Sequence, residues 1–111
     1  MVVEDNKDIR ELIEFVLVEE QYEVKTFERA SSFWEGIKFS YPDLVFLDIM
    51  LPDGNGVEIC EKLKSAKSTA QIPIILMSAH TYIDNRKCAA DFMPKPFDIV
   101  DLIGRVRRMV G

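Results

Sequence analysis

Asp43-Leu44-Val45-Phe46-Leu47-Asp48-Ile49-Met50-Leu51-Pro52-Asp53-Gly54-Asn55-Gly56 is the stretch that decides the fold. Leu44 to Leu47 is an apolar run too short for a lone helix and rich in the branched and aromatic side chains that strands favour. It is apolar at every position, not at alternate ones, so both of its faces are expected to be buried, as in a parallel sheet covered by helices. The run ends on a carboxylate, Asp48, and Pro52, Gly54 and Gly56 then turn the chain. Open α/β sheets build their ligand sites at the carboxyl ends of such strands. Asp48 is therefore the first candidate for chemistry.

Outward from this stretch, strand and helix patterns alternate. Met1 to Val3 is a short apolar run ended by Glu4-Asp5. Asn6 suits a helix cap, and Ile9, Leu12, Ile13, Val16 and Leu17 recur at helical spacing behind it. Tyr22 to Phe27 alternates like a strand near a sheet edge, and Ala30, Phe33, Trp34 and Ile37 make a second helical stripe. After the central turn, Val57, Cys60 and Leu63 mark a more polar helix. Ile72 to Met77 is another wholly apolar strand, running into Ser78-Ala79-His80. Residues 81–90 are only faintly amphipathic. Phe92-Met93-Pro94 reads as a last short strand before Lys95-Pro96-Phe97, and Ile99, Leu102, Ile103, Val106 and Val110 close the chain with a helix. Five strand–helix units in succession predict a doubly wound parallel sheet with helices on both faces.

Composition narrows the function classes. The chain has 111 residues, enough for a single domain over 1–111 with a real core. A formal charge of −5 argues against a nucleic-acid-binding surface, which needs a basic face. Arg105, Arg107 and Arg108 are expected on the solvated end of the last helix. Nothing approaches the run of about 18 apolar residues that a membrane span needs. The opening residues lack a secretory pattern, and Cys60 and Cys88 lack metal-ligand spacing, so free thiols and a cytoplasmic location are expected.

In a parallel sheet the carboxyl ends share one edge. That edge would receive Glu4, Asp5, Asp48, Ser78 and Lys95. Three carboxylates so close repel, and without a cation one of them would tend to hold a proton. All-oxygen donors favour Mg²⁺, or Mn²⁺, over zinc. Phosphoryl transfer needs such parts: a nucleophilic oxygen, a metal to neutralise the moving group, and fixed donors to its oxygens. Asp48 would be the nucleophile. Glu4, Asp5 and Asp48 would hold the metal, and Lys95 and Ser78 would pair with phosphoryl oxygens.

Glu4-Asp5, Leu47-Asp48-Ile49-Met50-Leu51-Pro52-Asp53-Gly54, Ser78-Ala79 and Lys95-Pro96-Phe97 together resemble the receiver domain of bacterial two-component response regulators. The resemblance covers nearly the whole chain in order. It implies a flavodoxin-like sheet of order 2-1-3-4-5, with phosphorylation of Asp48 by a sensor histidine kinase or phosphotransfer protein in a Mg²⁺-dependent step. It implies the Met50 backbone carbonyl as a further metal ligand, and Met50 and His80 as neighbours of the phosphoryl group. A switch follows, in which the Ser78 hydroxyl moves toward that group and Phe92 swings inward by packing alone. The implied partners are the kinase and, on phosphorylation, a second copy. The implied chemistry is limited to the domain's own phosphorylation and dephosphorylation.

Two departures from the family pattern stand out. The first strand is short, so part of its amino end would be missing. The span from Ser78 to Lys95 is about five residues, or some 7 Å of helix, shorter than usual, and the usual glycine before the last strand is absent. Either the fourth helix is shortened, or mobile residues are missing from it. A pseudo-receiver that keeps the fold without switching is thus the rival function. A small metal-dependent phosphatase fits poorly, because Met50 stands where its second acid would be. A dinucleotide protein fits less well still, since Gly54 and Gly56 form no G-x-G-x-x-G turn.

Overall fold

The structure is a computed structural model that describes residues 1–79 and 88–110. Its centre is β3 (Val45–Asp48), buried at all four positions. β3 pairs in parallel with β1 (Val2–Val3) on one side and β6 (Ile74–Ser78) on the other. β2 (Thr26–Phe27) joins β1, and β7 (Asp91–Pro94) joins β6, both in parallel. A separate hairpin, β4 (Met50–Leu51) with β5 (Gly54–Asn55), fills the turn after β3. The sheet order β2-β1-β3-β6-β7 is therefore the flavodoxin-like 2-1-3-4-5 order, once the hairpin is set apart.

The double-sided burial read from the sequence is visible residue by residue. Val45 and Leu47 of β3, with Ile74 and Leu76 of β6, face α2 (Ala30–Ile37) and α3 (Gly56–Ser65). Phe46, Ile75 and Met77 face α1 (Lys7–Glu19) and α4 (Ile99–Val110) on the other side. Strand side chains alternate between faces, so a strand with helices on both must be apolar throughout. Each fully buried Leu, Ile or Phe contributes about 1.5–3 kcal/mol. Among the described residues no helix is long and apolar enough to cross a membrane.

Local chemistry fixes where the helices start. Asn6 caps α1, its side chain accepting from the Ile9 amide at 3.0 Å, and Asn55 caps α3 through the Val57 amide at 2.7 Å. The strand expected over Tyr22–Phe27 is shorter than expected. Only Thr26 and Phe27 enter the ladder, because β1 offers only Val2 and Val3 as partners, while Tyr22 and Val24 pack against the α1–α4 core instead. The fourth helix expected after Ser78, shortened or disordered, falls on residues 80–87 and lies outside the described residues.

α2 is capped from a distance. Arg29, at its cap position, makes no side-chain cap bond. The Asp53 carboxylate, from the turn that follows Asp48, accepts from the Ala30 amide at 2.7 Å and the Ser31 amide at 3.0 Å. The Ala30 amide above all holds the Asp53 carboxyl below its ordinary 3.8. A depressed acid stabilises above its unfolded-chain value and loses that contribution as the pH falls through its folded value. Asp53→Ala should therefore lower the thermal midpoint, with a deficit that shrinks as melts are taken at pH values falling through and below 3.8. A deficit constant with pH would contradict a charged cap.

Candidate functional site

Ladder register delivers the functional side chains to one edge. Asp48, the last residue of β3, lies opposite Met77, and the Ile49 amide donates to the Met77 carbonyl at 3.0 Å. Ser78 ends β6 opposite Pro94, and the Lys95 amide donates to the Ser78 carbonyl at 2.8 Å. Glu4 and Asp5 follow β1, with the Glu4 amide bound to the Phe27 carbonyl at 3.0 Å. Gly56 is required at the start of α3, since a Cβ there would stand 2.3 Å from the Asp48 carbonyl oxygen. The helix thus lies directly against the backbone that carries Asp48.

Lys95 joins the acids. Its Nζ donates to Asp48 Oδ2 at 3.0 Å and to Glu4 Oε1, with only 14% of its side chain exposed. Glu4 is fully enclosed. Its other oxygen accepts from the Asn6 amide at 3.2 Å, while Asp48 Oδ1 accepts from the Met50 amide at 3.2 Å. Arg10 steadies this corner, its Nη1 donating to the carbonyls of Glu4 and Asp5 at 3.0 and 3.3 Å.

Burial, reinforced by the nearby Asp48 carboxyl, raises the Glu4 pKa to about 7, although Lys95 pulls it down. For Lys95 burial opposes the charge, but the hydrogen bonds to Glu4 and Asp48 outweigh it and hold its pKa above the ordinary value. One ammonium therefore only partly offsets these acids. Ligand oxygens of Glu4, Asp5 and Asp48 all lie within 4.8 Å of one another, and Asp5 is exposed. Hard oxygen donors with one solvent-facing member fit a hard divalent cation that keeps some of its waters.

Of the other residues read from the sequence, Ser78 is buried at the same edge. Met50 is 61% exposed, with its amide on Asp48. Phe92 is half-buried and packs against the cluster shared with α2 and α3. His80 lies outside the described residues. The sequence reading missed Arg105. Instead of facing solvent, its guanidinium bonds Asp91 at 2.9 Å, Asp101 at 2.9 Å and the Phe92 carbonyl at 2.7 Å, tying α4 to β7. Only the i,i+4 spacing from Asp101 gave a local signal. Arg107 is exposed, as expected, and pairs with Glu20 at the surface.

A family model described as response regulator receiver domain matches residues 1–107. The response regulator ArlR of Staphylococcus aureus is 34% identical over 115 residues, which cover 99% of this chain and 51% of ArlR. The chain thus spans about half the length of the curated relatives it matches. The receiver domain of NtrX from Brucella abortus superposes with a TM-score of 0.84 at 32% identity, covering 98% of this chain and 95% of that one. The signal receiver domain of a signal transduction histidine kinase from Syntrophus aciditrophicus gives 0.88 at 28% identity, covering 98% and 86%.

The raised Glu4 carboxyl has a measurable consequence in metal-free protein. Its folded value of about 7 lies above its ordinary 4.5, so the folded protein keeps a proton that the unfolded chain has released. Stability should therefore fall as pH rises from 4.5 to about 7. Glu4→Gln should flatten that slope and unfold at higher urea than wild type above pH 7, both measured in chelator. An unchanged slope would contradict the enclosed, proton-sharing carboxyl.

Proposed function

The chain belongs to the response regulator receiver domains, and from that membership we propose that it is a phosphorylation-controlled signalling switch whose phosphoacceptor is Asp48. One observation carries the reading: a single lysine ammonium bridges two enclosed carboxylates, and a third carboxylate completes an oxygen cluster at the same sheet edge. The 111 residues form one such domain.

The phosphoryl donor is a phosphohistidine of a sensor histidine kinase or phosphotransfer protein. An Asp48 carboxylate oxygen attacks phosphorus as the P–N bond breaks, and the leaving imidazole takes up a proton. Glu4 and Asp5, with Asp48 and the Met50 carbonyl, are the residues that would hold Mg²⁺ (Mn²⁺ suits the same donors). The ion would neutralise charge on the transferring group. Lys95 exchanges its bond to Asp48 for a phosphoryl oxygen, and the Ser78 hydroxyl donates to another. New charge at Asp48 then biases the packing of Ser78 and Phe92 between two arrangements. Arg105, bound to the Phe92 carbonyl, carries that change toward α4 and a partner-binding surface for another protein or a second copy. The reaction is confined to the domain's own acid, in the cytoplasm.

Intact-mass spectrometry after incubation with acetyl phosphate tests the assignment. Wild type should gain one phosphoryl group only with Mg²⁺, and Asp48→Asn should gain none. No adduct on wild type under any condition would leave a binding module with the same fold. Stable phosphate on Asp48→Asn would move the acceptor elsewhere. Lys95→Ala should still be phosphorylated but lose the phosphorylation-dependent amide shifts of β6 and β7 in NMR spectra. Normal shifts would remove its part in switching.

A further inference from the structure

The short connection that carries the first two acids is held by a residue of the helix that follows it. β1 ends at Val3, and α1 begins at Lys7 with Asn6 as its cap, so Glu4 and Asp5 stand between strand and helix. Arg10 lies one turn past that cap, and helical side chains lean back toward the amino end of their helix. Its Nη1 accordingly reaches the Glu4 carbonyl at 3.0 Å and the Asp5 carbonyl at 3.3 Å. The residue is half-buried in a shallow cleft shared with Thr26, Phe27, Glu28 and Ser32.

The three clustered acids are not held alike. Lys95 and the Asn6 amide hold the Glu4 carboxylate, and Lys95 and the Met50 amide hold that of Asp48. The Asp5 carboxylate is exposed, and among the described residues no side chain or amide donates to it. Its place therefore follows from its backbone. The Glu4 and Asp5 carbonyls belong to the two planar peptide units on either side of the Asp5 Cα, so a donor bound to both restricts the two torsions that aim the Asp5 side chain.

We propose that Arg10 is a positioning residue for the divalent-cation site: by fixing both peptide units around Asp5, it keeps the exposed third carboxylate in place for Mg²⁺. This rests on the metal reading given above, in which Asp5 is a ligand. Two effects of opposite sign meet at Arg10. Its guanidinium is a fixed positive charge beside the acids, and by charge alone it would weaken the binding of another cation. As a support it strengthens binding, because the ion no longer has to order a mobile ligand. Water and salt at this exposed margin screen the repulsion, whereas the support acts through two directional bonds, so positioning outweighs charge. A lysine in its place keeps the charge but is a shorter point donor without the planar fork.

The test titrates Mg²⁺ by calorimetry into wild type, Arg10→Met and Arg10→Lys. Methionine keeps much of the stem and removes both charge and donors. Arg10→Met should bind Mg²⁺ roughly 10-fold more weakly than wild type, with Arg10→Lys between them. In metal-free protein, ¹⁵N relaxation should show increased fast motion of the Asp5 and Asn6 amides in Arg10→Met, with Met50 and Ser78 unchanged. Equal or tighter Mg²⁺ binding by Arg10→Met, or unaltered motion at Asp5, would overturn the proposal and leave the metal site standing. Should Arg10→Met not fold, Arg10→Lys decides at constant charge: weaker binding supports positioning, and unchanged binding contradicts it. Wild type that binds no Mg²⁺ would overturn the metal reading and the proposal with it.

Discussion

The arrangement at the sheet edge depends on one ion pair network: the Lys95 ammonium set between Glu4 and Asp48. Glu4 is enclosed, Asp48 nearly so, and two like charges in that setting repel strongly. Leaving either unpaired would cost several kcal/mol. One ammonium cannot neutralise both together with the nearby Asp5. Burial above all, and the neighbouring Asp48 carboxyl after it, hold the Glu4 pKa at about 7. A site in this condition favours added positive charge, and a divalent cation on Glu4, Asp5 and Asp48 is the proposed source.

The rest of the fold holds those charges in place. Parallel ladders put five strand ends on one edge, and two apolar cores, one on each face, fix the strands that carry them. Asp48 is further pinned by the Met50 amide and by the close approach of Gly56. Asp53 ties the following turn to the start of α2, so the loop around the proposed phosphoacceptor is anchored to a second helix. On the proposed function, rigid supports on this scale would let phosphorylation of Asp48 alter packing elsewhere instead of dissipating locally.

Much of this could be read in the sequence because it follows from local patterns. The unbroken apolar runs at Leu44–Leu47 and Ile72–Met77 dictated a sheet covered on both faces, and strand direction alone gathered Glu4, Asp5, Asp48, Ser78 and Lys95. Contacts between distant residues were not legible. The Asp53 cap of α2 spans 23 positions, and the Arg105 bond to the Phe92 carbonyl spans 13, with no periodicity to announce either. Local alternation over Tyr22–Phe27 overstated β2, because ladder length is set by the neighbouring strand and not by the strand's own pattern.

Calorimetric titration of Mg²⁺ into wild type and Asp5→Asn tests the charge-balance account most directly. Asp5 is exposed, so its replacement leaves the enclosed Glu4–Lys95–Asp48 network intact. The account predicts one Mg²⁺ bound by wild type and markedly weaker binding by the variant. Equal affinity in the two proteins, or no binding by wild type, would contradict it.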